Sequence, residues 1–350
     1  MEELTSFLQR LSQAPGISGH EDSVRAIVSE ALEEHVDDIR FDKLGNLIAT
    51  RNGSESAVMV AAHLDEIGLM VKHVDDKGFI RFVKFGGWFD QTLLNNRVVV
   101  HAPRGDVYGV IGSKPPHIMK SEEKKKTVKA EDMFIDVGIQ DRQEADALGI
   151  RPGTPITLDR SLVTLQGHRV CGKALDDRAG VAMMVEAVRQ TAAEVTVYAV
   201  GTVQEEVGLK GARTSAFGLD PDAALVSETA VAGDHPGIEE KDAALKLGEG
   251  PALTVTDASG RGLIASPSIM RWLEDTARQH DIPYQLEVSS GGTTDATAIH
   301  LTRAGVPCGV VSVPTRYLHS GVEVLDLRDL QSGARLMARA LEAVGSRVSL

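Results

Sequence analysis

Aromatic residues, cysteines and positive charges are all scarce in this chain of 350 residues. Aromatics make up 4%, there are two cysteines, and 37 lysines and arginines stand against 50 acidic residues, for a formal net charge of −13. Two cysteines, Cys171 and Cys308, are too few for a disulfide framework and are typical of buried free thiols. Because a strongly negative chain repels a phosphate backbone, we expect no nucleic-acid partner.

Long apolar runs are missing as well. No stretch approaches the roughly 18 consecutive apolar residues that cross a bilayer. The first residues, MEELTSFLQRLSQ, are acidic where a signal peptide is basic and then apolar. These features predict no membrane association and a cytoplasmic location. The remaining composition, 42% apolar and 25% charged, is that of an ordinary globular chain, and its length predicts about two domains.

Apolar spacing predicts where helices and strands lie. Helices are expected in the first forty residues, from Asp177 as an N-cap, and near 266–281, 293–302 and 326–344. Four compact apolar runs predict buried strands of a parallel sheet: AVMVAA, VTVYAVGTV, AALVS and CGVVSV.

The sequence pattern changes between about Ile67 and Leu165. There, short segments of alternating apolar and polar residues are separated by Gly, Pro, Asn and Asp turns. This pattern predicts an all-β module. The simplest architecture is therefore an α/β domain formed by residues 1–66 and 166–350, interrupted by a β insertion over 67–165.

Metal-binding residue types follow the apolar runs. In open α/β sheets, ligands bind beyond the carboxyl ends of the strands, so these positions are the ones to inspect. Five segments deliver imidazoles and carboxylates there: His63, Asp65 and Glu66; Asp176 and Asp177; Glu205 and Glu206; Glu228; His319. Since a buried carboxylate without a partner costs several kcal/mol, bound divalent cations would resolve the conflict.

The physical interpretation is a dinuclear site. Two metals roughly 3.5–4 Å apart need a carboxylate between them and further N and O ligands on each. Imidazole with carboxylate favours zinc, cobalt or manganese over calcium. One carboxylate must stay free to accept a proton, and a glutamate beside a ligand glutamate is placed to do so. Asp65 is a candidate to fix the ring orientation of His63.

The motifs that carry these residues closely resemble those of the tetrahedral (TET) aminopeptidases. The matching segments extend over essentially the whole chain, in order: AAHLDEIG, IGSKPPHIM, MFIDVG, GKALDDRAG, VQEEVGLKGA, SET through GDHPG, and SSGGTTDATAIHLTRAGVPCGVVSVPTRYLHS. The resemblance implies a zinc-exopeptidase-like catalytic domain, with a mixed and largely parallel sheet between helices, and an inserted β-barrel dimerisation domain. It also implies two divalent metal ions per subunit and a hollow homododecamer built from dimers.

The resemblance assigns roles residue by residue. His63 and Glu228 correspond to terminal ligands of one metal, Asp176 bridges both, and Glu206 and His319 complete the second site. Glu205 corresponds to the general base, and Asp65 belongs to the catalytic set.

Two positions depart from the family pattern. An aspartate usually stands where this chain has Glu228, and proline is common where it has Gly321. Gly291 and Gly292 are either a substrate-binding element that lets the backbone approach the peptide or an ordinary flexible turn. The implied activity is removal of N-terminal residues from short peptides with a free N-terminus. The preferred first residue and the native metal stay open.

The ligand residues by themselves are compatible with other functions. A deacetylase or carboxypeptidase shares this kind of site, and fold-level analogy alone does not separate them. Endoglucanase activity, a label that some relatives carry, also uses paired carboxylates, but glycosidases need no histidine pair and line sugar subsites with aromatic rings. A non-catalytic oligomer has no need of a free base such as Glu205.

Overall fold

The computed structural model describes residues 1–344, which form a mixed α/β structure with a separate closed β-barrel. The helices are α1 Glu2–Gln13, α2 Asp22–Leu32, α3 Ser121–Lys124, α4 Arg142–Leu148, α5 Leu175–Gln190, α6 Lys210–Leu219, α7 Pro267–Gln279, α8 Ala296–Ile299 and α9 Leu327–Glu342. The strands are β1 Asp38–Phe41, β2 Leu47–Arg51, β3 Ser54–His63, β4 Gly68–Val74, β5 Ile80–Phe85, β6 Arg97–Ala102, β7 Gly105–Gly112, β8 Phe134–Asp136, β9 Pro155–Leu158, β10 Val163–Thr164, β11 Arg169–Gly172, β12 Val195–Thr202, β13 Ala223–Val231, β14 Ala252–Thr256, β15 Gln285–Val288, β16 Cys308–Arg316 and β17 Glu323–Asp326.

An eleven-stranded sheet organises the larger part of the chain. Its order is β1-β2-β12-β3-β13-β16-β17-β11-β10, and β14 pairs with both β16 and β15. Strands β12, β3, β13 and β16 run parallel at the centre, whereas the flanking strands are antiparallel apart from the β14–β15 pair. Parallel central strands bring their carboxyl ends to one edge of the sheet. The predicted α/β class with a mixed sheet is confirmed.

The central strands are apolar on both faces because helices cover them. Val58, Met59 and Val60 of β3 are fully buried. Helix α5 packs against β3 and β13 and also against α9, while α6 and α8 contact β12 and β13, respectively. The resulting core fixes the strand ends that carry the polar side chains.

The inserted module is a closed antiparallel barrel, as predicted. Its strands follow the order β4-β5-β8-β7-β6-β9, and they enclose an apolar cluster of their own that includes Leu69, Ile80, Val98 and Ile135. The barrel strands begin at Gly68 and end at Leu158. We keep 67–165 as the proposed extent of the insertion.

Two elements differ from their predicted extent. The strand predicted at AALVS continues to Val231, because its pairing with β16 extends as far as Val231 and Thr315, so Glu228 lies within the strand. The helix predicted at 293–302 is confined to Ala296–Ile299, so it is shorter than predicted at both ends, and a turn with positive φ at Arg303 and Gly305 follows it.

The remaining sequence features are simple to place. Cys171 is half-buried and Cys308 is buried, and both are free thiols. Among the helices within residues 1–344, none has the length and apolar character to span a bilayer.

Candidate metal centre

A cavity of about 600 Å³ opens where β3, β12, β13 and β16 end. All five residues that the sequence predicts as ligands line it: His63, Asp176, Glu206, Glu228 and His319. Glu205 lines it too, and Gly291 and Gly292 form part of its wall. The structure therefore brings together side chains that are up to 256 positions apart in the sequence.

The first group that could hold a metal ion consists of His63, Asp176 and Glu228. His63 Nε2 lies 3.2 Å from Asp176 Oδ1 and 3.8 Å from Glu228 Oε1. His63 is the last residue of β3, and Glu228 projects from the neighbouring strand β13. The longer glutamate arm thus still reaches the group.

The second group consists of Asp176, Glu206 and His319. His319 Nε2 lies 3.3 Å from Asp176 Oδ2 and 3.5 Å from Glu206 Oε1. The Nδ1–H of His319 donates to the carbonyl oxygen of Gly87, at 3.2 Å, which leaves Nε2 facing the carboxylates. Asp176 is thereby shared, with one oxygen directed toward each group.

The residues present fit divalent cations. Glu206 Oε1 is buried and has no hydrogen-bond partner, which leaves its lone pairs available to a metal. Burial raises the pKa of Glu206 to about 7, and hydrogen bonding to Asp176 raises the pKa of His319 to about 10. Both shifts show a site that favours added positive charge. Two imidazoles and three carboxylates form a donor set typical of zinc, cobalt or manganese.

Asp65 organises the chain around the cavity. Its carboxylate is fully buried and accepts hydrogen bonds from Ser18 Oγ at 2.6 Å and from the backbone N–H groups of Glu205 and Glu206 at 2.9 and 3.2 Å. His63 Nδ1 lies 3.1 Å from the backbone carbonyl of Asp65 and 3.5 Å from its carboxylate. Asp65 therefore fixes both the imidazole and the Glu205–Glu206 segment.

Glu205 lines the cavity but belongs to neither metal-binding group. Burial, with the negative charge of Asp295 and Glu206 nearby, raises the pKa of Glu205 well above its usual range. A carboxyl group with a raised pKa accepts a proton more readily at neutral pH. The arrangement therefore supplies a base beside two ligand groups.

Two other acidic residues that the sequence analysis singled out have different partners. Asp177 Oδ1 accepts from the backbone N–H of Gly180, at 3.0 Å, and caps the regular turns of α5. Glu66 Oε2 accepts a hydrogen bond from Lys173 Nζ at 2.7 Å, and the two side chains form a buried ion pair. Neither belongs to a metal-binding group within the described residues.

Sequence reasoning missed Glu323. This carboxylate is 1% exposed, and it accepts from the backbone N–H of Asp176 at 3.1 Å and from that of His319 at 2.9 Å. Glu323 therefore fixes the backbone positions of two candidate ligands, Asp176 and His319. Its sequence signal, a glutamate four residues after His319 in an apolar segment, is too weak to identify without the structure.

The comparisons with known proteins agree with this geometry. A sequence profile of the M42 glutamyl aminopeptidases matches residues 45–336. The chain belongs to this family. It is an aminopeptidase of the metallopeptidase type, although one similar structure, from Thermotoga maritima, carries the name endoglucanase.

Individual relatives match over the full length. An aminopeptidase structure from the archaeon Desulfurococcus kamchatkensis superposes with a TM-score of 0.95 at 41% identity, covering 100% of this chain and 98% of that one. The lysyl aminopeptidase of Pyrococcus furiosus is 36% identical over 340 residues, 96% of each chain. The TET1 peptidase of Pyrococcus horikoshii, which can assemble into a tetrahedron or a large octahedral shell, has a TM-score of 0.87 at 32% identity and covers 99% of this chain and 100% of that one.

Proposed function

We propose that this member of the M42 family removes the N-terminal residue of short peptides at a two-metal centre. The observation that carries the proposal is the position of Asp176, whose Oδ1 lies 3.2 Å from His63 Nε2 and whose Oδ2 lies 3.3 Å from His319 Nε2. A carboxylate that offers one oxygen to each ligand group is what a bridging ligand requires.

The ligand roles follow from the two groups. His63 and Glu228 would hold one metal, Glu206 and His319 would hold the other, and Asp176 would contact both. The mixed imidazole and carboxylate set favours zinc or cobalt, with manganese as a third candidate.

The chain's own residues complete the chemistry. Bound divalent cations would supply Lewis acidity toward the scissile carbonyl group and lower the pKa of water. Glu205 would take the proton from the attacking water and return it to the departing amine. Asp65 would keep Glu205 in place through the backbone N–H group.

Gly291 and Gly292 are proposed to contact the peptide backbone. A Cβ atom at either position would meet no other atom within 4 Å, so both face open space at the cavity wall. The family description names a glutamyl substrate and one relative a lysyl substrate. The resemblance therefore leaves the first residue of the substrate open.

We also propose that the chain is cytoplasmic and assembles from barrel-mediated dimers into a dodecamer. The similarity to TET1 structures, one described as a dodecamer and one as a tetrahedron or a large octahedral shell, supports this assembly. The insertion offers candidate contact residues for such a dimer, since Phe89, Tyr108 and Ile118 are 59%, 67% and 68% exposed there. Exposed apolar side chains mark a protein interface where they form one contiguous patch. Light scattering of the purified protein would test the subunit number.

The activity is tested with a panel of free-amine and N-acetylated aminoacyl anilides, together with a soluble cellulose. Each substrate is measured before chelation, after chelation, and after zinc, cobalt or manganese is restored. We expect cleavage of the free-amine substrates alone, lost on chelation and regained with metal. Activity on blocked or sugar substrates, or silence on all of them, would contradict the proposal.

A further inference from the structure

The cavity continues past the metal-binding groups to the far edge of the sheet. Strands β13, β16, β14 and β15 are adjacent in that order, and Glu228 is in register with Ser312 of β16. Glu287 lies on β15, three strands away from Glu228, or ~14 Å at a strand spacing of ~4.8 Å. Both glutamates line the same cavity, as do Thr254 and Asp257 of the intervening β14 segment.

Neither of two carboxylates at this far end forms an ion pair with a lysine or arginine among the described residues, although His300 lies close enough to Asp257 to oppose the effect of burial on its pKa. Glu287 Oε2 accepts from Thr254 Oγ1 at 2.7 Å, and Asp257 is 4% exposed, with Oδ2 lacking any hydrogen-bond partner. Burial raises the pKa of Glu287, and Asp257 adds to that shift. Among the described residues that line the cavity, none is a lysine or an arginine.

The charges of the proposed metal centre do not compensate this end. Two divalent cations balance the four carboxylates beside them, which are Asp176, Glu205, Glu206 and Glu228. The negative charges of Asp257 and Glu287 are not balanced by these cations. A desolvated carboxylate that lacks a counter-charge is costly, so this end of the cavity favours a ligand that brings positive charge.

We propose that Asp257 and Glu287 form the subsite for the side chain of the substrate's first residue, and that this subsite selects lysine or arginine. The inference rests on the proposed function and specifies its substrate class. Leu209 and Leu318 line the same cavity and offer apolar surface to the aliphatic stem of such a side chain. Acidic first residues are repelled by the same two carboxylates.

The test compares lysyl and norleucyl anilides, because norleucine has an unbranched aliphatic side chain that lacks the ammonium group. We expect the wild-type kcat/KM to favour lysine over norleucine by roughly ten- to a hundredfold, the range of one hydrogen bond to a charged group. Glu287→Gln should reduce that ratio at least ~tenfold, and Glu287→Lys should shift the preference toward a glutamyl anilide. Glu30→Gln, which removes the same charge from an exposed side chain on α2, should leave the ratio unchanged.

A wild-type preference for norleucine or glutamate over lysine would overturn the subsite while leaving the aminopeptidase function intact. An unchanged ratio in Glu287→Gln would overturn it as well. Failure of the metal-loaded wild type to cleave any free-amine substrate would instead remove the proposed function and the subsite together. If Glu287→Gln does not fold, the wild-type preference for lysine over norleucine tests the subsite by itself. A preference that depends on charge should decrease when the salt concentration is raised from about 0.05 M to about 0.5 M.

Discussion

The carbonyl oxygen of Gly87 accepts a hydrogen bond from His319 Nδ1 at 3.2 Å, although the two residues are 232 positions apart. Gly87 lies in the insertion that contains the barrel, and His319 lies three residues beyond the end of β16. The insertion therefore reaches into the candidate metal centre and sets the orientation of one ligand. Partners of this kind fix the tautomer of a ligating histidine.

Gly87→Ala should weaken the second metal-binding group. A Cβ atom at this position would lie 2.6 Å from His319 Nδ1, so the imidazole must shift from its place beside Asp176 and Glu206 or the Gly87 backbone must give way. We expect metal affinity or activity to fall roughly 10–100-fold, the usual effect of disturbing a partner of a ligand. Metal content by atomic emission and kcat/KM on a free-amine anilide measure it.

Gly218→Ala is the matched control, because a Cβ atom there meets no other atom within 4 Å. It should bind metal and turn over like the wild type. If Gly87→Ala binds metal as tightly as this control, the proposed role of the Gly87 carbonyl is wrong.

Local sequence patterns explain why some of this site was predictable. His63 and Glu206 stand at or just beyond the ends of apolar runs, and the carboxyl edge of a parallel sheet brings such ends together. Gly87 and Glu323 act through backbone groups of residues far away in the sequence. No local pattern reports that kind of contact, so both were missed.

The fold, too, was predictable where local patterns determine it and not where distant contacts do. Apolar runs predicted the strands β3, β12, β13 and β16, and alternating segments predicted the inserted barrel. The end of β13 was wrong because it depends on pairing with β16 as far as Thr315, and α8 is shorter than predicted at both ends. Strand pairing, rather than local propensity, sets the end of β13.

Glu323→Gln should loosen the metal centre without removing a ligand. The two carboxylate oxygens accept from the N–H groups of Asp176 and His319, and a glutamine offers only one acceptor in their place. We expect metal affinity to fall roughly 10–100-fold. Competition with a chelator of known affinity measures this change. Glu186→Gln, at a half-buried position on α5 where the carboxylate pairs with Arg189, should leave the metal affinity as it is, and an equal loss in both variants would contradict the role of Glu323.

Glu205→Gln should abolish turnover while both metals stay bound. The amide cannot accept the proton from water, so activity should fall by about 10²–10⁴-fold, the range for a general base. His319→Ala is the informative comparison, because it should lose metal as well as activity. Near-normal activity in Glu205→Gln, measured on the metal-loaded protein, would rule out the assigned base.

Arg178→Met should destabilise the fold beside the cavity. The Arg178 side chain is fully buried and donates to the carbonyl oxygens of Leu11 and Ala14 at 2.7 and 3.2 Å, and it lies 3.6 Å from Glu66 Oε1. Methionine fills similar space but leaves the two carbonyl groups without this donor and Glu66 with one cation fewer.

Breaking a buried ion pair by removing one partner costs about 3–5 kcal/mol, so Arg178→Met should show a clearly lower thermal midpoint. Because the Arg178 side chain holds the chain that leads from α1 toward Ser18, earlier proteolysis of the N-terminal segment is also expected. Arg10→Met removes an arginine whose side chain is 51% exposed and pairs with Glu30, and exposed pairs contribute about 0–1 kcal/mol. Equal midpoints for the two variants would mean that the buried network is not what anchors the first helix.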